Sequence, residues 1–261
     1  MPIPKKIHYC WFGKNPKPKL AEKCIASWKK YCPDYEITEW NEDNFDISQA
    51  PLYVRQAYDA KKWAFVTDYV RLYAMVGQGG IYMDTDVEVV KPLDPFLKHS
   101  AFSGFEDARR IPTGIMACQP GFLLFEQLLH YYDDASFLNE DGNLNMTTNV
   151  DIITGMCLER GFVPNNKFQE LEGFAIYPRD VFCPVDNVTM KLHRTPDTHT
   201  IHWFAGSWFS PEQKKAQRQQ IWDAKIFAIS RMPNKVGKAV FGEKRYFKIR
   251  DSIKGIFQKK H

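Results

Sequence analysis

Three carboxylates alternate along one short segment of the sequence, GGIYMDTDVEVV, at residues 79–90. Asp84, Asp86 and Glu88 occupy every second position after an apolar run. If the segment is one extended strand, these side chains share a face, because strand residues alternate between faces. Carboxylates on one face repel one another unless water or a cation lies between them, and Mg²⁺ and Mn²⁺ prefer oxygen ligands. The motif therefore indicates either a metal site or a solvated strand edge.

Asp68 and Arg71 interrupt a helical segment, residues 63–76, that is apolar on nearly all sides. Residues three apart on a helix share a face, so the simplest interpretation is an ion pair within the helix. Buried charges also need partners, however. On that second interpretation Arg71 contacts a phosphate or sugar, and Asp68 accepts hydrogen bonds from hydroxyl groups.

Two further side chains lie at the ends of predicted strands. Trp11 lies towards the end of the predicted strand KIHYCWFG, where a tryptophan either packs in the core or stacks on a nucleobase. His202 lies in HTIHWFAGSW, a predicted strand that leads into a turn, and His199 faces the other side of that strand, so the two do not form a chelating pair. His202 alone is a candidate third ligand or phosphate contact.

The spacing of apolar residues predicts the elements that position these side chains. A strand (KIHYCWFG), a helix (KLAEKCIASWKKY) and a second strand (YEITEW) form an opening typical of a parallel sheet. One or two helices follow and stop at the glycines before the carboxylate segment. Later helices are GFLLFEQLLHYY and TTNVDIITGMCLERGF. The pattern predicts an α/β fold, whose ligand sites lie at the carboxyl ends of strands.

The charge of the chain is unevenly distributed. The formal net charge is +4, but residues 212–261 carry 14 Lys and Arg against 4 Asp and Glu, a net +10, which leaves −6 for residues 1–211. We expect one domain over residues 1–210 and a basic amphipathic helical extension over residues 211–261. The extension either binds an anionic membrane surface or packs on the body with its basic face in water. Nucleic acid is not an expected partner.

Six cysteines contain no CxxC pair and no spacing typical of zinc sites, which predicts reduced cysteines, most of them in the core. The N-terminal residues contain no apolar stretch of about 7 to 15 residues that would indicate a signal peptide. No uninterrupted apolar run reaches about 18 residues. These features predict a cytoplasmic protein, peripheral on the inner face of the cell membrane if the extension binds lipid.

Four segments together resemble the DXD-containing glycosyltransferases of family 32, which include bacterial capsular and exopolysaccharide transferases and yeast mannosyltransferases. The glucosylating domains of clostridial toxins are more distantly similar. The resemblance runs in order over roughly residues 2–210. The segments are IPKKIHYCWFG, SWKKYCPDYEITEWNEDNFD, AKKWAFVTDYVRLYAMVGQGGIYMDTDVEVVKPLD and IHWFAGSW.

The resemblance implies a GT-A fold, a Rossmann-like mixed sheet that binds a nucleotide sugar, with Mn²⁺ or Mg²⁺ bridging the diphosphate. The implied catalytic residues are Asp84, Asp86, Arg71 and Asp68, and the implied metal ligands are Asp86, Asp84 and His202. The implied donor contacts are Trp11 at the nucleobase, Asp68 and Arg71 at ribose, sugar hydroxyls and phosphate, Tyr82 before the DXD, Asp84 at ribose or sugar, Asn149 near the sugar, and Ser207 and Trp208 over the diphosphate.

The expected activity is that of a metal-dependent retaining hexosyltransferase in surface polysaccharide synthesis. Its donor would be a UDP-hexose first and GDP-mannose second, and its acceptor a glycan or lipid-linked glycan. Two other functional classes compete with this one. A metal-dependent phosphohydrolase with a strand-end D-x-D-x-T/V motif fits less well, because Glu88 holds the fifth position. A Ca²⁺-binding or glycan-binding module is the other, although Val89 holds the position where an EF-hand needs glycine.

Overall fold

The computed structural model describes residues 2–206 continuously and, beyond them, residues 212, 215, 216, 218, 219, 221–223, 242, 244, 247 and 248. The chain divides into two units, one of Met1–Val185 with Leu192–Trp208 and one of Asp186–Lys191 with Phe209–His261. The domain boundary expected near residue 210 stays a prediction, because residues 207–211 lie outside the described part of the chain.

The first unit opens with the strand, helix and strand that the sequence predicts. They are β1 (Lys6–Cys10), α1 (Lys19–Tyr31) and β2 (Glu36–Trp40). β1 pairs in parallel with β2 and also with β3 (Gly80–Met83), so β1 is internal to the sheet. Between β2 and β3 lie two helices, α2 (Leu52–Asp59) and α3 (Trp63–Gln78).

The sheet continues through antiparallel and parallel neighbours. The later elements are β4 (Val87–Val89), β5 (Ala101–Gly104), β6 (Ile115–Cys118), α4 (Leu123–His130), α5 (Asn149–Glu159), β7 (Gln169–Leu171), β8 (Phe174–Tyr177), α6 (Arg179–Phe182) and β9 (Thr200–His202). Seven strands form one sheet in the order β2-β1-β3-β6-β5-β8-β7. β6 is antiparallel to β3 and β5, whereas β5 is parallel to β8. The mixed α/β sheet that we expected is therefore confirmed.

Helices cover the main sheet on both faces, and β3 contributes to both cores. Ile81 and Met83 pack with Trp28 of α1, while Tyr82 packs with Val70 of α3. This alternation follows from the period of two in a strand. All five side chains are buried, and burying a large apolar side chain stabilises a fold by about 1.5–3 kcal/mol. The sheet is thereby fixed against α3, which carries Asp68 and Arg71.

Two glycines allow α3 to turn directly into β3. Gly79 has φ of 64° and Gly80 has φ of 112°, a region that favours glycine. A Cβ atom at Gly80 would lie 2.8 Å from the carbonyl oxygen of Lys6 in the neighbouring strand. The turn brings the Asp68 helix and the DXD strand next to each other, as the sequence predicts.

All six cysteines are buried and unpaired, in agreement with the predicted core positions. In the second unit, Asp186 Oδ1 accepts hydrogen bonds from the backbone nitrogen and the hydroxyl of Thr189, at 2.7 and 2.8 Å. The described residues from Glu212 to Asp223 are helical. No helix among the residues that the structure describes has both the length and the apolar character needed to span a bilayer.

Candidate active site

The DXD segment is a turn between two strands. β3 ends at Met83, Asp84 donates its backbone N–H to Gly114 O at 2.8 Å, and Val87 N bonds to Asp84 O at 2.9 Å. The chain then enters β4 in a separate two-stranded sheet with β9. The sequence pattern predicts one strand over IYMDTDVEVV, residues 81–90, and this prediction is wrong, because a turn from Asp84 to Val87 separates β3 from β4.

The turn brings Asp84 and Asp86 together with His202. One ligand atom from each of the three residues lies within 4.8 Å of the others. His202 comes from β9, which pairs with β4 so that His202 lies opposite Val87. The Nε2 of His202 lies 3.3 Å from Asp86 Oδ1, and Ala205 N donates to Asp86 Oδ2 at 2.8 Å. The structure thus gathers the three implied metal ligands, and their role stays a prediction.

Asp86 and His202 each stabilise the charged form of the other. Burial works against ionisation of Asp86, but His202 and the Ala205 N–H hold the pKa of that carboxyl below its ordinary value. Burial also lowers the pKa of His202, yet Asp86 outweighs it and leaves that pKa well above its ordinary value. Without a cation, the two side chains form a partly buried ion pair.

The residues present fit a divalent cation. Two carboxylates and one imidazole supply oxygen and nitrogen ligands of the kind that Mn²⁺ and Mg²⁺ accept in proteins. Gly114 lies beside His202 and Asp84 and has no side chain. A Cβ atom there would lie 2.7 Å from His202 Cε1 and 2.9 Å from Asp84 Oδ2. The absence of a side chain at Gly114 is therefore required for the two ligands to approach each other.

Arg71 connects α3 to the DXD turn. Its Nη2 lies 3.1 Å from Asp68 Oδ1 and 3.5 Å from Asp84 Oδ1, and its Nη1 donates to Thr113 O at 2.7 Å. The guanidinium lies 4.6 Å from the ring centroid of Tyr82. Burial lowers the pKa of Arg71, but its acidic neighbours raise it further, so the side chain stays charged. Arg71 makes both the intrahelical pair and a contact with the candidate site.

Asp68 is buried, and burial raises its pKa to about 6 against the opposing charge of Arg71. Asn149, the first residue of α5, donates from Nδ2 to the Asp68 carbonyl oxygen at 2.7 Å and accepts a hydrogen bond from the hydroxyl of Tyr132. The structure thus gives Asn149 a supporting contact with α3. Its expected role near the donor sugar stays a prediction.

Trp11 and Tyr82 lie at the carboxyl ends of adjacent strands. Trp11 is partly buried, and its Nε1 donates to Asn15 O at 2.6 Å, with Lys17 Nζ 5.8 Å from the ring centroid. Tyr82 is buried, and its hydroxyl donates to Asp84 Oδ1 at 2.9 Å. Tyr82 therefore orients Asp84, and stacking of a nucleobase on Trp11 stays a prediction.

Ser207 and Trp208, expected over the diphosphate, lie outside the described residues. Sequence reasoning missed three residues that support the site, namely Thr113, Gly114 and Ala205. Thr113 and Ala205 act through backbone atoms, and Gly114 acts by having no side chain. The identity of such residues in the sequence therefore says little about their role. The turn sequence Pro-Thr-Gly before β6 was the one local hint for two of them.

Part of this region is similar to known proteins. Residues 18–103 match the family described as the glycosyltransferase sugar-binding region containing the DXD motif. Inositol phosphoceramide mannosyltransferase 3 of Schizosaccharomyces pombe is 32% identical over 127 residues, which cover 46% of this chain and 33% of that protein. Glucan organizing enzyme 1 of Cryptococcus neoformans is 37% identical over 83 residues, 28% of this chain and 23% of that protein. The matched region thus spans a third or less of these two relatives.

The fold comparison extends further along the chain. The solved structure of PaToxG glycosyltransferase is similar with a TM-score of 0.50 and 17% identity, covering 95% of this chain and 86% of that chain. At this identity the likeness concerns the fold alone. Residues 18–103 are thus similar to the DXD-containing sugar-binding region of glycosyltransferases, and the mixed α/β sheet is that of the GT-A fold.

Proposed function

We propose that the protein is a metal-dependent retaining glycosyltransferase that moves a hexose from a nucleotide sugar to a glycan or lipid-linked glycan, in the synthesis of a surface polysaccharide. The observation that carries the proposal is the convergence of Asp84, Asp86 and His202 beside Arg71. The site suits a ligand that carries a diphosphate. Two carboxylates and an imidazole can hold a cation, and the guanidinium adds a fixed positive charge near the carboxyl end of β3.

Asp84, Asp86 and His202 would hold a divalent cation. When bound, that cation would offset the negative charge of the diphosphate as it leaves. Arg71 adds a permanent positive charge whose position is fixed by Asp68, Asp84 and the carbonyl oxygen of Thr113. Because these donors are already oriented, they need not reorganise during the reaction.

The carboxylates of the site are engaged with other protein groups. Asp68 and Asp84 face Arg71, and Asp86 faces His202 and Ala205. Because these carboxylates already have charged or hydrogen-bonding partners, we favour a mechanism without a protein nucleophile. In that mechanism the acceptor hydroxyl attacks the anomeric carbon as the bond from carbon to diphosphate oxygen breaks. The proton of the hydroxyl passes to the leaving phosphate oxygen, and the configuration is retained.

The test is release of nucleoside diphosphate from a panel of nucleotide sugars by the purified full-length protein. Each reaction is run with Mn²⁺, with Mg²⁺ and with a chelator, and Asp86→Ala serves as the inactive control. We expect diphosphate release that needs the cation and that disappears in the variant. The anomeric configuration of the product, read by NMR, tests retention.

Three outcomes would contradict the proposal. Full activity in the chelator would remove the metal dependence. Release of inorganic phosphate from simple phosphate esters, without turnover of any nucleotide sugar, would support a phosphohydrolase instead. Stabilisation by Ca²⁺ alone in a thermal shift assay, with no effect of UDP or GDP plus Mn²⁺, would support the binding module.

The donor panel contains both UDP-hexoses and GDP-mannose. We expect UDP-hexoses ahead of GDP-mannose as donors, whereas the Schizosaccharomyces pombe relative is named a mannosyltransferase. That name adds weight to mannose, so both classes are compared at equal concentration. The class with the larger kcat/KM identifies the donor.

A membrane contact through residues 212–261 is part of the same proposal, because lipid-linked acceptors reside at membranes. The net charge of +10 in this segment supports it. Full-length protein should sediment with vesicles that contain anionic lipid and not with neutral vesicles, and raised salt should reverse the binding. Equal binding to both kinds of vesicle would contradict an electrostatic contact.

A further inference from the structure

Glu88, the third carboxylate of the opening segment, points away from the other two. It is the middle residue of β4, and its partner in the register is Ile201 of β9. Its Oε2 accepts hydrogen bonds from Lys23 Nζ at 2.8 Å and from Trp203 Nε1 at 3.0 Å. The side chain is 16% exposed. Glu88 therefore binds an indole N–H and an ammonium group, while Asp84 and Asp86 face His202.

Trp203 connects this contact to the candidate metal centre. It directly follows His202 in the chain, and its backbone N–H donates to Asp86 O at 3.1 Å. Lys23 Nζ also lies 5.6 Å from the centroid of the Trp203 ring. Trp203 is thus bound at its backbone by the DXD turn and at its indole by Glu88.

The segment that Trp203 fixes supplies Asp86 with both of its side-chain contacts. His202 Nε2 and Ala205 N approach the two carboxylate oxygens of Asp86. The pairing that holds this segment in place is short, because β4 and β9 are paired over three residues only. Short strands alone position a side chain weakly, so a contact beyond the ladder contributes more here than it would in a long sheet.

We propose that Glu88 is a positioning residue for the metal centre, which acts through the Trp203 indole to fix residues 202–205 against Asp86. The inference rests on the proposed function for its metal, but its structural part is independent of that function. Residues in the outer shell of metal sites commonly change metal affinity by about 10–100-fold when they are replaced.

The test compares Glu88→Ala with Glu88→Gln and with Trp203→Phe. Glutamine keeps an oxygen that accepts the indole N–H, whereas alanine removes it, and phenylalanine removes the donor instead. Glu39→Ala is the matched control. Glu39 likewise accepts from a lysine, Lys17 at 2.7 Å, and from an aromatic side chain, Tyr9 at 2.5 Å.

The first readout is hydrogen exchange of the peptide that covers residues 200–206, measured on the full chain without added metal. We expect faster exchange in Glu88→Ala and Trp203→Phe, because the Trp203 and Ala205 N–H groups lose their fixed acceptor geometry. Glu88→Gln and Glu39→Ala should exchange like the wild-type protein. Unchanged exchange in Glu88→Ala would overturn the inference whatever the protein catalyses.

The second readout is binding of Mn²⁺, titrated by calorimetry. We expect Glu88→Ala and Trp203→Phe to weaken Mn²⁺ binding by about 10-fold or more, and the double variant to be no weaker than either single variant. A Glu88→Ala protein with a lower unfolding temperature but unchanged Mn²⁺ affinity would show a purely structural residue and overturn the inference. Wild-type protein that binds no Mn²⁺ would instead contradict the metal dependence in the proposed function, and the exchange data would still decide the positioning by Glu88.

Discussion

Arg71 Nη2 lies 3.5 Å from Asp84 Oδ1, so that one guanidinium joins the helix α3 to the first aspartate of the DXD turn. Both groups lie near the carboxyl end of β3, and the arginine is also held by Asp68 and by the Thr113 carbonyl oxygen. The contact couples the position of Asp84 to that of a buried helix.

Arg71→Lys keeps the positive charge and loses the planar fork that reaches several acceptors at once. We expect kcat to fall by about 100-fold, because the charge is no longer held beside the leaving diphosphate. The KM for the donor should change much less. Steady-state kinetics with the preferred donor measure both values, and thermal unfolding checks that the variant folds. A large rise in KM at unchanged kcat would show that Arg71 serves donor binding instead.

Asp86→Asn keeps the shape of the side chain and removes its charge. We expect transfer to fall below detection, because one implied ligand loses its charge and the His202 pairing is lost. The fold should survive, since the amide oxygen can still accept from the Ala205 N–H. Nucleoside diphosphate release and the unfolding temperature are the measurements. Asp34→Asn, at an exposed aspartate paired with Lys5, is the control and should stay active.

Gly114→Ala adds a single methyl group at the wall of the site. That carbon would lie 2.7 Å from His202 Cε1, so one of the implied ligands must shift. We expect Mn²⁺ affinity and activity to fall together, by about 10-fold or more. Gly155→Ala is the matched control, because no atom lies within 4 Å of a Cβ atom there. That change, inside α5, should leave activity intact and stabilise the helix by up to about 1 kcal/mol.

His8 predicts a pH dependence of stability. It is buried, donates from Nε2 to Gly79 O at 2.9 Å and accepts from Trp40 Nε1 at 3.2 Å, so the ring is neutral. Burial lowers the pKa of His8 below its ordinary value, so the unfolded chain binds the proton more tightly. The stability from this group is complete above the unfolded pKa and is lost as the pH falls through the folded pKa.

Urea unfolding at several values between about pH 5 and pH 8 measures this effect. In the range between the two pKa values, the free energy of unfolding should fall by up to about 1.4 kcal/mol for each unit of decreasing pH. His8→Gln lacks the titrating group, so its curve should lack this component. Parallel curves for the two proteins would contradict a neutral buried His8.

The sequence predicted local elements well where a periodic pattern met a strong stop signal. α3 is an example, because its apolar residues surround the helix and Gly79 and Gly80 end it. The DXD segment is the counterexample. Its carboxylates alternate through a turn, and no local pattern separates one long strand from two short strands with a turn between them.

The partners of Glu88 also could not be predicted from the sequence. No role could be assigned to this residue from its neighbours in the sequence. Its contacts lie 65 residues away at Lys23 and 115 residues away at Trp203. Such contacts depend on which strands pair, and strand pairing is a property of the whole chain.

By itself, the sequence determined the groups that the site has to offer: two aspartates after a buried strand, an Asp and Arg pair on a buried helix, and a histidine far along the chain. It also determined the α/β class, since periodicity and glycine stops act over a few residues. The tertiary structure alone decided that His202 reaches Asp86, that Gly114 leaves room for both ligands, and that Glu88 turns away to Trp203. The physical reason is that the pairing of β4 with β9 closes a loop of more than a hundred residues. The entropic cost of closing that loop is offset by packing of the core and not by any local preference of the sequence.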